Sequence, residues 1–97
     1  MAGVKKADNP FAAASAKPFV ASPEDERKAA AIAGLCGAFL KESGFSLTEV
    51  ASDFVIYRSG KGHQIAIRGH RWFCKLSSGE EFSGVGFVDL SDVVRGG

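Results

Sequence analysis

Between Ser22 and Gly44 the apolar positions follow a helical spacing. Ile32, Leu35, Cys36, Phe39 and Leu40 recur at i, i+3, i+4, i+7 and i+8, which places them in one stripe. The start of this segment is well signalled. Ser22 can cap the free amides of the first turn, Pro23 suits the first helical position, and Glu24, Asp25 and Glu26 oppose the positive end of the helix dipole. Gly44 fits the left-handed residue that ends a helix, with Phe45 able to fold back on the stripe. Residues 46–52, SLTEVAS, support two readings: a capping-box spacing from Ser46 to Glu49, or a first strand.

From Phe54 the period changes to two. Ser59-Gly60-Lys61-Gly62 predicts a hairpin loop, and Gly69-His70 predicts a two-residue type II′ turn. Set in that register, Ile56 faces Ile65, Phe54 faces Ile67, Ile67 faces Trp72 and Ile65 faces Cys74. Phe54, Ile56, Ile65, Ile67, Trp72, Cys74 and Leu76 then share one side. Ser77-Ser78-Gly79 leads to a fourth strand over 81–88, expected to set Leu76 beside Phe82 and Trp72 beside Gly86. Asp89 to Val94 can form a short closing helix. The expected fold is α+β: an extended N-terminal arm, one amphipathic helix on an antiparallel sheet of about four strands, and a short C-terminal helix. Residues 1–21 form the arm and residues 22–97 the domain. The arm, extended or flexible, has no period and is broken at Asn9-Pro10 and Lys17-Pro18; it reads either as a disordered tail or as an arm that Phe11 and Phe19 anchor on a neighbouring surface.

Composition narrows the class. With 45% hydrophobic and 24% charged residues the chain reads as a single globular domain. No apolar run approaches the roughly 20 residues that span a bilayer, and no apolar segment follows Lys5 and Lys6 as a secretory signal requires, so no membrane association is expected. Two cysteines, Cys36 and Cys74, are too few for a disulfide framework; they read as buried thiols of a cytoplasmic protein.

Charge adds the main functional clue. The net charge of +1 hides a segment from Phe54 to Gly79 with no acid and five cations: Arg58, Lys61, Arg68, Arg71 and Lys75. In the expected register the second sheet face carries Val55, Tyr57, Gln64, Ala66, Arg68, Arg71, Phe73, Lys75, Val85 and Phe87. That mixture is too apolar for ordinary surface and too basic for core, a combination that marks interaction sites. Two partners fit it. A protein surface would use Tyr57, Phe73, Val85 and Phe87, with Arg58, Lys61, Arg68, Arg71 and Lys75 steering association. A single-stranded nucleic acid would stack on Tyr57 and Phe73 and pair its phosphates with Arg68, Arg71 and Lys75.

Catalytic and metal chemistry find little purchase. His63, His70, Cys36 and Cys74 could be ligands, but His70 and Cys74 lie about 13 Å apart on one strand by the strand rise. Zinc needs all its donor atoms within about 2.3 Å of one ion. Neither GxGxxG nor GxxxxGK[ST] occurs. Cys74 is expected beneath a helix, where nothing lowers its pKa. The ending Val93-Val94-Arg95-Gly96-Gly97 resembles the tail of ubiquitin-like modifiers over those five residues. Those folds begin with a β-hairpin followed by a helix, however, whereas here the long helix precedes every clear strand. The sequence therefore reads as a non-catalytic protein-interaction module without cofactor or metal, binding a partner protein or a second copy through its open sheet face and arm. Small accessory proteins of phages and bacteria, such as stoichiometric inhibitors and assembly components, are of this type. The alternative is a single-stranded nucleic-acid-binding protein.

Overall fold

A computed structural model describes residues 22–96; Phe11, Phe19 and the expected arm lie outside the described residues. Helix α1 spans Pro23–Ala33, α2 Leu35–Glu42 and α3 Phe87–Gly96. The strands are β1 Phe45–Val50, β2 Val55–Ser59, β3 Gln64–Arg68, β4 Arg71–Lys75 and β5 Glu81–Val85. The strands form an antiparallel meander in the order β1-β2-β3-β4-β5. The α+β class is as expected.

The start of α1 follows from its sequence. Ser22 Oγ accepts from the Asp25 amide at 3.1 Å, and Asp25 Oδ2 accepts from the Ser22 amide at 3.1 Å, so two free donors are satisfied reciprocally. The single expected helix is in fact two. Gly34 adopts φ 56 and ψ −130, a conformation open to glycine and strained for other residues, and α2 leaves in a new direction. A salt bridge from Lys41 to Glu26 ties the two helices together. The break also turns Leu35 out of the stripe: it is 75% exposed, not core as its spacing predicts.

The sheet has five strands, not four, because residues 45–50 resolve as an edge strand paired with β2 and bulged between Leu47 and Glu49. The β3–β4 pairing is as expected: Ile65 faces Cys74, Ile67 faces Trp72, and Gly69 supplies the positive φ of the turn. The β2–β3 pairing is shifted by one residue, with Tyr57 opposite Ile65 and Val55 opposite Ile67. The physical reason lies in the loop. The Ser59 amide donates to the His63 carbonyl at 2.9 Å, so the loop is Gly60-Lys61-Gly62, closed by Gly62 at φ 93. A one-residue shift in a period of two reverses the faces of the whole strand. Val55 and Tyr57 thus lie beneath the helices, and Phe54 and Ile56 on the other side.

The fourth expected strand is also corrected, by two residues, a shift that keeps its faces. The Leu76 amide donates to the Glu80 carbonyl, which sets Trp72 opposite Gly84 and Cys74 opposite Phe82. The indole covers Gly84 so closely that a Cβ there would lie 2.3 Å from the ring. A large ring over a strand glycine is the compensation expected, two residues earlier than predicted. β5 ends at Val85, and Phe87 opens α3 instead of extending the strand. The main core joins Ala29, Ala33, Leu40 and Leu90 of the helices to Val55, Tyr57, Ile65, Ile67, Trp72 and Cys74 of the sheet.

Candidate protein-interaction surface

The sheet face turned away from the helices carries a small second core. Phe54, Ile56, Ala66 and Phe73 pack together beside Ala51. They are withdrawn from water, Ala66 at 0% and Phe73 at 4% exposure. Alternation along β2, β3 and β4 places Arg58, Gln64, Arg68, Arg71 and Lys75 around them. The pattern of a mixed apolar and basic face therefore holds for β3 and β4. Its rings are Phe54 and Phe73, both buried; Tyr57, at 1% exposure, belongs to the main core.

The face is also less basic than the segment that builds it. Arg68 donates through Nε and Nη2 to Asp53 Oδ2 at 3.0 and 2.8 Å. Lys75 sits opposite Glu81, and Glu49 of the edge strand sits opposite Ile56. The guanidinium of Arg71 lies 5.4 Å from the centroid of the Phe73 ring, an arrangement attractive to a cation. The acid-free stretch of sequence is thus interleaved in space with acids from the strands and loop around it.

Of the expected site residues, Arg58, Lys61 and Arg71 are exposed, and Arg68 and Lys75 half-exposed. Val85 is 58% exposed and pairs with Arg71 across the sheet. Phe87, at 38%, lies on the helix side, its ring edge-on to Phe39 at 5.4 Å and 85°. Arg71 and Phe87 meet at one end of the molecule. Both line a groove of about 430 Å³ between the α1–α2 break, the β3–β4 turn and the start of α3. Leu35, Ile32 and His70 line it too, and Val88, also exposed, follows Phe87. The Trp72 indole N–H donates to the Gly86 carbonyl at 3.1 Å and fixes the bend that carries the chain from Val85 to Phe87.

Leu35 is the residue of this surface that spacing alone misplaced. The signal for it lay in Gly34 and Gly37, two glycines inside a helical pattern that each weaken a continuous helix by about 1 kcal/mol. Gly37 is needed for another reason, since a Cβ there would lie 2.7 Å from the Tyr57 hydroxyl oxygen.

The chemistry of the described groups is quiet. Burial pushes the Cys36 and Cys74 thiols up, away from the reactive thiolate. Tyr57 is also raised, by burial first and by the negative charge of Glu26 second. Among the described residues no group of three or more His, Cys, Asp or Glu side chains is placed to hold a metal ion. No helix among them is long and apolar enough to cross a membrane. No protein-family model, curated protein or solved structure matches the chain.

Proposed function

We propose that this chain is a non-catalytic protein-interaction module that docks a partner protein at the end of the sheet where Leu35, Arg71 and Phe87 line one groove. The observation that carries the reading is the exposure of Leu35 beside Phe87 on one groove. Single exposed apolar residues need no explanation, but a cluster rimmed by polar groups marks an interface. Arg71 and His70 at the rim favour a partner with an acidic border, which raises its rate of encounter. The apolar anchors supply the affinity.

The test uses the full chain with Leu35→Asp, Phe87→Ser and a control, Lys28→Glu, on the exposed side of α1. Partners are recovered by affinity capture and their binding is then measured with purified components. Each groove variant is expected to weaken a given complex at least about tenfold, the size of a small hot spot, and the control to leave it unchanged. A complex indifferent to both groove variants would sink the assignment.

A further inference from the structure

At the opposite end of the meander lies a second concavity, and its chemistry differs. It has a volume of about 360 Å³, within the range of small-molecule sites. Ile65, Cys74 and Leu76 of the sheet line one side of it, and Val93 and Val94 of α3 the other. These side chains also pack against or within the main core, so the cavity opens directly onto the apolar interior. Cys74 is a neutral thiol there and behaves as a small apolar group.

Among the described residues the ionisable groups lining the cavity, besides the Cys74 thiol, are Lys61 and His63, and none of them is a carboxylate. Lys61 is exposed in the Gly60–Gly62 loop. His63 is oriented by a neighbouring loop: the Ser77 amide donates to its Nδ1 at 3.1 Å. An accepting Nδ1 carries no proton, so the neutral ring holds its proton on Nε2. The second ring nitrogen, Nε2, is therefore a donor. The Ser59 hydroxyl accepts from the His63 amide at 3.2 Å, which leaves its own O–H able to donate. An apolar cavity whose edge carries a lysine and a histidine and, among the described residues, no acid complements an anionic head on an apolar tail.

We propose that this cavity binds a small aliphatic carboxylate, with its tail between the sheet and α3 and its carboxylate at Lys61 and His63. This site is separate from the groove of Leu35 and Phe87, so either can fail without the other. Recognition follows the usual division of such sites: the buried tail supplies affinity, and the few polar groups select the head.

The experiment is an amide NMR titration of the full chain with octanoate and, in parallel, octanol. Octanoate is expected to give saturable shifts centred on Ile65, Cys74 and Val94. Lys61→Met, in an exposed loop, should weaken octanoate about fivefold, the effect of one partly solvated charge pair, and leave octanol unchanged. Val94→Phe should fill the cavity and abolish both. If that variant loses its dispersed spectrum, the Lys61→Met comparison decides alone. Equal binding of octanoate and octanol with no effect of Lys61→Met would overturn the proposal. So would shifts centred on Leu35 and Phe87, or no saturable shift at all.

Discussion

Tyr57 shows how much a single residue's role depends on which way it faces. As one of the two rings of an open sheet it would stack on a ligand. Beneath α1 and α2 it is among the largest fully buried side chains, and truncating it would cost core packing. Its titration carries the same message. Tyr57 is held above its ordinary value of about 10, first by burial and then by Glu26, and burial holds Cys36 and Cys74 above about 9. In each case the folded state keeps its proton longer than the unfolded chain. The stabilisation is therefore complete below the unfolded values and is lost as pH rises through the folded ones. The urea midpoint is expected to fall steadily above about pH 9. Because the chain has one tyrosine, tyrosinate absorbance reports Tyr57 alone, and it should appear together with unfolding. An ordinary tyrosine titration in a chain that stays folded would refute this account.

At the scale of the element, the break between α1 and α2 is the device that shapes the proposed interface. A continuous helix would carry Leu35 in its apolar stripe. Gly34 at φ 56 ends α1, and α2 restarts with Leu35 facing water. A Cβ at Gly34 would meet no atom within 4 Å, so the cost of adding one is backbone strain alone. Gly34→Ala is expected to destabilise the fold by about 1–3 kcal/mol, measured by urea denaturation. A neutral result would mean that the two helices can fuse without penalty and that the break is not held by the rest of the fold. The strands show the same dependence on a few loop atoms. A three-residue loop in place of four moved Val55 and Tyr57 to the helix side, because strand faces alternate with every residue.

The whole molecule decides the electrostatics. Arg58, Arg68, Arg71 and Lys75 come from an acid-free segment, but Asp53 binds Arg68 and Glu81 and Glu49 stand on neighbouring strands. Cations that stand beside acids contribute less to counterion release when the surface meets a polyanion. Binding of a mixed-sequence single-stranded oligonucleotide, followed by fluorescence anisotropy, is expected to be weak. Its salt dependence should correspond to fewer than about two phosphates. A steep dependence, abolished by Arg58→Glu or Lys75→Glu, would favour a nucleic-acid partner over a protein.

What the sequence by itself determined is what short-range chemistry controls. The cap at Ser22 rests on groups three residues apart, and the Gly69-His70 turn on the one φ that glycine permits there. The β3–β4 register follows from that turn, and the α+β class from the change of period at Phe54. The tertiary structure alone decided three things. It paired residues 45–50 with β2, which required a partner strand in place. It chose the face of β2, which hung on one loop residue. It also brought acids beside the cations of the basic segment, since charges distant in sequence meet only when the sheet closes. Leu35 lies between these two groups: the glycine before it was legible as a weak point, but only the packing of α1 and α2 against the sheet turned that weak point into an exposed anchor.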